Sequence, residues 1–242
     1  MPEIKYLIAG DSAISVEFGN EISEEINGKV LALNDILLTN RIKGVTETVP
    51  TYRSLLVYYD PCVIDYKKLV GKLKRLTCRL DTVSATSKRI IEIPVCYGGT
   101  FGEDLNDVAE YTHLSQDEVI QRHCSHDYLI YMLGFLPGFV YLGGMDSKLV
   151  TPRLNTPRAK IPAGAVAIGG EQTGIYPMPS PGGWRLIGTT PVKPYDPDRK
   201  EPILYRAGDY IRFKPITEEA FYEIQALVEK DEYQCAIMER DT

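Results

Sequence analysis

A chain of 242 residues, 44% hydrophobic and 25% charged, is long enough to bury a core without disulfide or metal staples. Its formal charge of −6 and pI near 5.2 exclude general binding to a nucleic-acid backbone, which needs a basic face. Five cysteines (Cys62, Cys78, Cys96, Cys124, Cys235) are odd in number and form no CxxC, so reduced thiols of a cytoplasmic protein are expected. The N-terminal MPEIKYLIAGDSAIS has no basic stretch leading into a long apolar run. No apolar run approaches the ~20 residues that span a bilayer. The expectation is a soluble, cytoplasmic protein, with no membrane association.

The first 85 residues predict a small α+β lobe. IKYLIA (4–9) and AISVEF (13–18) are apolar runs separated by the turn Gly10-Asp11-Ser12. Ile22, Ile26, Val30, Leu33 and Leu37 then fall on one helical face. TETVP (46–50) and SLLVYY (54–59) predict strands. A second helix carries Leu69, Leu73 and Leu76 on one stripe, with Lys67, Lys68, Lys72 and Lys74 toward water. This β-β-α-β-β-α order suits one sheet with helices on one face.

Residues 78–89 (CRLDTVSATSKR) lose apolar periodicity and predict a linker, with domains at 1–85 and 86–242. RIIEIPV (89–95) predicts a strand. Two short helices follow, each opened by a capping-box pattern, Thr100…Glu103 and Ser115…Glu118. Residues 131–188 hold 11 of the 20 glycines and 7 of the 16 prolines, interrupted by VYL, AVAI, TGIY and WRLIG. That density defeats helices and predicts a β-sandwich or barrel of many short strands. IRF (211–213) is the expected closing strand, and Thr217 caps a last helix with Phe221, Ile224, Leu227 and Val228.

The Gly/Pro-rich segment is also the basic one. Lys148, Arg153, Arg158, Lys160 and Arg185 face only Asp146 and Glu171 there. TPRLNTPR (151–158) places an arginine after a proline twice. Proline fixes φ and stiffens the loop, while guanidinium holds a carboxylate or phosphate through paired hydrogen bonds. Surface ion pairs are the other reading of the same arginines. In GGEQTGIYPMPSPGGWRLIG (169–188), Gln172 both donates and accepts, as an amide or lactam requires. Tyr176 adds a ring and a hydroxyl. Ser180, Gly182 and Gly183 let backbone N–H groups approach a ligand. Trp184 and Arg185 point to opposite faces if they lie in a strand. Phe135 and Phe139 of GFLPGFVYLGG are candidate pocket-lining rings, with core packing as the alternative. His113, His123 and His126 lack the partners of a zinc site, so no metal is expected. Cys124 fits helix packing better than a nucleophile role. Neither a P-loop nor GxSxG occurs, and no catalytic residue is assigned.

GDSAISVEFG, GFLPGFVYLGG, TPR…TPR…IPAGAVAIGG, EQTGIYP and SPGGWRLIG together resemble the KipI family, also called the 5-oxoprolinase B subunit or allophanate hydrolase subunit 1. The resemblance covers nearly the whole chain. It implies an α+β N-terminal lobe followed by a mainly-β, cyclophilin-like barrel with a C-terminal helix. It implies a bacterial hetero-oligomer with two partners, a KipA-like protein (the C subunit) and a LamB/YcsF-like protein (the A subunit). That assembly opens the 5-oxoproline lactam to L-glutamate. ATP is used by the complex, and no cofactor is held tightly. The same modules resemble the carboxyltransferase part of urea carboxylase. Arg153, Arg158 or Arg185 would then hold the substrate carboxylate and Gln172 its lactam. Some family members resemble inhibitors of a sporulation histidine kinase, which makes a protein-binding barrel the alternative. Proline isomerisation follows from barrel analogy alone, and fold does not confer function.

Overall fold

The computed structural model describes residues 3–78, 80 and 89–239. It forms two compact units, Met1–Ser87 and Lys88–Thr242. The expected boundary at 85/86, and most of the expected linker, lie outside the described residues.

The N-terminal unit has the expected order: β1 (Lys5–Ile8), β2 (Ala13–Glu17), α1 (Glu24–Asn40), β3 (Val45–Pro50), β4 (Ser54–Tyr59) and α2 (Tyr66–Thr77). The strands form an antiparallel sheet in the order β1-β2-β4-β3. Alternation puts Ile14 and Val16 of β2 and Leu55 and Val57 of β4 on the core face. Against them pack Ile26, Val30, Leu33 and Leu37 of α1, with Leu69 and Leu73 of α2. Each such burial contributes roughly 1.5–3 kcal/mol. Ile22 does not join this stripe. Ser23 caps α1 by accepting from the Ile26 N–H, so Ile22 lies outside the helix and is 59% exposed.

The C-terminal unit contains β5 (Arg89–Tyr97), α3 (Leu105–Thr112), α4 (Gln116–Cys124), β6 (Asp127–Leu133) and β7 (Val140–Gly143). Then come β8 (Arg158–Ile161), β9 (Ala165–Gly169), β10 (Gln172–Ile175), β11 (Ser180–Gly182) and β12 (Arg185–Thr189). The unit ends with β13 (Tyr210–Pro215), α5 (Glu218–Glu229) and β14 (Ile237–Glu239). The main sheet runs β10-β9-β12-β5-β13-β6-β7, with β14 also paired to β5. Among the described residues of this sheet, only β13 and β5 pair in parallel. The sheet curls nearly shut. Gly174 on β10 lies so near Val140 on β7 that an added Cβ would stand 3.1 Å from its carbonyl oxygen. The expected α+β lobe and mainly-β barrel are what the two units show. β8 and β11 form a separate two-stranded ribbon.

The helix starts differ from one another. Ser115 opens α4 with the expected capping box, its side chain and that of Glu118 satisfying each other's backbone N–H. Thr100…Glu103 opens no helix. α3 begins at Leu105, and its N-cap Asp104 makes no side-chain cap bond. The Asp104 carboxylate instead accepts from the Leu186 N–H (2.7 Å) and from Arg158 (2.7 Å). Glu103, the acid that local spacing assigned to a capping box, pairs with Arg158 (2.9 Å) instead. At the far end Thr217 caps α5 as expected, though among its apolar residues only Phe221 is fully buried. Among the described residues, no helix is long and apolar enough to cross a membrane.

Candidate functional site

The rings singled out in the Gly/Pro-rich segment meet. Phe139 sits at their centre, in edge contacts with Phe135 (5.5 Å between centroids), Tyr141 (5.3 Å), Tyr176 (5.5 Å) and Trp184 (5.7 Å). Phe139, Tyr176 and Trp184 are buried together with Ile161, Ala167 and Leu186. Phe135 is different. It is 64% exposed and has φ +66°, at the centre of a turn closed by the Leu136 N–H on the Gly134 carbonyl (2.8 Å). A non-glycine residue in that conformation is strained by roughly 1–3 kcal/mol.

Glycines set this cluster's shape. A Cβ on Gly182 would meet the Tyr176 hydroxyl at 2.5 Å, and one on Gly169 would meet the Trp184 indole at 2.5 Å. Gly169→Ala should therefore displace Trp184. The expected result is a red-shifted emission of this sole tryptophan and a lower thermal midpoint, read by fluorescence. An unchanged spectrum would refute the contact.

The TPRLNTPR loop is tied down along its length. Thr151 exchanges backbone hydrogen bonds with Gly170 (2.8 and 3.4 Å). The Leu154 N–H donates to the Gly183 carbonyl (2.7 Å), and Arg185 Nε donates to the Pro152 carbonyl (3.3 Å). The three arginines separate clearly. Arg158 pairs with Glu103 (2.9 Å) and with Asp104 (2.7 Å), whose side chain is only 6% exposed. Arg185 opens β12 and pairs with Asp107 (2.8 Å), while the buried Trp184 precedes the strand. Arg153 forms no ion pair among the described residues. Its guanidinium lies over the Trp184 ring, 5.6 Å from the centroid, and the residue is exposed. Two arginines thus brace the loop, and the third is left at its surface.

Two buried donors on the β8–β11 ribbon have no hydrogen-bond partner among the described residues: the Ser180 hydroxyl and Arg158 Nη1. Ser180 is 7% exposed and stands opposite Ile161, while Gly182 stands opposite Arg158. An unpaired buried donor costs roughly 1–3 kcal/mol, so an acceptor is expected to reach it. Beside them Tyr176 is buried, which raises its hydroxyl pKa; the Arg153 charge and a Trp184 backbone hydrogen bond oppose that rise. Gln172 lies half-buried on β10. The site thus gathers Arg153, Arg158, Tyr176, Ser180, Gly182, Gly183 and Trp184 around one loop and one ribbon.

In the sequence His123 is legible only as a histidine without the partners of a zinc site. It is fully buried, stacked on Phe213 at 4.5 Å. Its Nδ1 is 2.7 Å from the Tyr97 hydroxyl and its Nε2 is 2.7 Å from Thr173 Oγ1. Thr173 has one hydroxyl proton and donates it to the Ala167 carbonyl (3.1 Å). It must therefore accept from Nε2–H. Neutral histidine then has no second N–H, so Nδ1 accepts from Tyr97, and Tyr97 accepts from the Cys124 thiol (3.4 Å). The chain Cys124, Tyr97, His123, Thr173, Ala167 runs in one direction from α4 to β9. Burial lowers the His123 pKa to about 3, which keeps the ring neutral. Among the described residues no group of three or more His, Cys, Asp or Glu side chains could hold a metal ion.

Curled sheet, braced loop and buried ring cluster together define a domain that has known relatives. Residues 4–205 match the family described as carboxyltransferase domain, subdomain C and D, and the chain belongs to that family. It is 44% identical over 224 residues to the 5-oxoprolinase B subunit of Bacillus subtilis, covering 88% of this chain and 93% of that one. It is 47% identical over 171 residues to the 5-oxoprolinase B subunit of Haemophilus influenzae, covering 71% of this chain and 79% of that one. The K. lactis urea amidolyase shares the fold, with a TM-score of 0.80 at 21% identity over 98% of this chain; the match spans 16% of that longer protein.

Proposed function

We propose that this chain is the B subunit of an ATP-dependent 5-oxoprolinase, working with A and C subunits to convert 5-oxoproline to L-glutamate. Its likeness to the B subunits of B. subtilis and H. influenzae supports the reading. The observation that carries the site is the pair of unpartnered donors, Ser180 Oγ and Arg158 Nη1, on one ribbon beside Tyr176. A 5-oxoproline molecule offers a carboxylate and a lactam oxygen, acceptors of the kind such donors need. Arg153, exposed over Trp184, would draw the carboxylate in. ATP, used by the complex, would phosphorylate the lactam oxygen and make the ring carbon open to water. This chain's residues would hold the substrate and exclude solvent. The kinase-inhibitor alternative is not what these relatives are named for.

The test is reconstitution. This chain, mixed with A and C subunits from B. subtilis, ATP and 5-oxoproline, should yield glutamate, and the mixture without it should not. No glutamate from a set that is active with the B. subtilis B subunit would overturn the assignment.

A further inference from the structure

A second surface lies in the N-terminal unit, apart from the residues proposed for the oxoprolinase site. The turn after α1 and the exposed side of α2 line a groove of about 390 Å³. Lys43, Lys67, Lys68, Lys72 and Arg75 surround it, and Gly71 lies among them; none of the lining residues is acidic. α2 itself carries five cations and no carboxylate. Lys74 is turned away, over the Tyr6 ring. Lys68 has a partner in Asp65 (3.0 Å), but both ends are mostly exposed, so the pair is weak. Lys68 and Lys72, four apart, repel one another along the helix.

Gly71 is the second observation. Glycine is the poorest helix former after proline, yet it stands in the middle of α2. A Cβ there would meet nothing within 4 Å, so no packing within the unit requires it. Helix stability is forgone twice at one place, through charge and through glycine. Both choices leave an open, positive depression. Its volume lies at the low end of ligand pockets, ~300–1,000 Å³. Lysine ammonium groups serve as point charges for phosphate, whereas bidentate carboxylate recognition favours arginine.

We propose that this groove binds a compact anion carrying several phosphate charges. The assignment does not rest on the oxoprolinase reading, because it uses other residues in the other unit. It is tested on the full chain by an amide NMR titration at low salt, with inorganic triphosphate as the probe. Saturable shifts centred on residues 67–75 are expected, weakening steeply with added salt. Lys67→Gln with Lys72→Gln should weaken binding at least tenfold. Gly71→Leu, which fills the depression, should weaken it severalfold without lowering the thermal midpoint. A nucleoside triphosphate that binds as well as triphosphate shows that the phosphates alone are read. One that binds more tightly places a nucleotide in the groove. The absence of saturable shifts, or equal affinity in the Gln variants, overturns the proposal. So does binding of a hexaglutamate peptide where triphosphate does not bind, since the groove would then dock an acidic protein segment.

Discussion

Thr173→Val is expected to destabilise the C-terminal unit by about 2–3 kcal/mol, and His123→Ala by about 3–5 kcal/mol. Valine keeps the shape of threonine but leaves His123 Nε2–H buried without an acceptor. Alanine removes a ring stacked on Phe213 and leaves the Tyr97 hydroxyl without its acceptor, while Thr173 keeps its bond to the Ala167 carbonyl. Urea unfolding followed by Trp184 emission measures both, because the chain's sole tryptophan lies in the same unit. Nitrogen NMR of the wild type should show the proton on Nε2. A proton on Nδ1 would reverse the hydrogen-bond chain and remove the argument.

The same group gives an acid dependence. Its folded pKa, about 3, lies below the ordinary value of 6.5. Between those values the unfolded chain binds a proton that the folded chain does not. The contribution is therefore complete above pH 6.5 and is lost as pH falls toward 3, at up to about 1.4 kcal/mol per pH unit. Among the described residues, no ionisable side chain in contact with the ring is a carboxylate or a cation: its neighbours are Tyr97, Tyr128 and, through Tyr97, Cys124. In His123→Gln this part of the slope should vanish.

What the sequence disclosed followed the range of the interactions involved. Leu69 and Leu73 on α2, the Ser115 capping box and the Thr217 cap are set by neighbours three or four residues away, so spacing alone reveals them. β6 and β14 escaped notice. DYLIYML on β6 is a continuous apolar run that carries no period of its own, and IME on β14 is three residues long. In the site, the arginines and rings were visible as residue types in an unusual segment. Their roles were not. The partners of Arg158 lie 54 and 55 positions earlier, at Asp104 and Glu103, and that of Arg185 lies 78 earlier, at Asp107. The 55-residue link likewise took Glu103 from the capping box that local pattern assigned to it. For His123 the decisive partners are 26 and 50 residues away. Long-range pairing is where tertiary structure overrides a local reading.

Ser180→Ala separates a ligand donor from a structural residue. The hydroxyl has no partner among the described residues, so removing it forfeits no hydrogen bond there and spares an unsatisfied buried group. Stability should hold or rise slightly. If the hydroxyl meets 5-oxoproline, kcat/KM for ring opening in the reconstituted complex should fall roughly 10- to 100-fold, the loss of one well-made hydrogen bond of about 1.5–3 kcal/mol. Arg158→Lys provides the contrast. Lysine keeps the charge beside Asp104 but lacks the planar fork, so it forfeits one of the two links to Glu103 and Asp104 as well as the free Nη1. It should lower stability and activity together. The two variants thus predict opposite stability changes with the same direction of activity change. A Ser180→Ala complex that turns over at the wild-type rate would show that the orphaned hydroxyl faces no substrate. The ribbon would then cease to be the site, while the family assignment would stand.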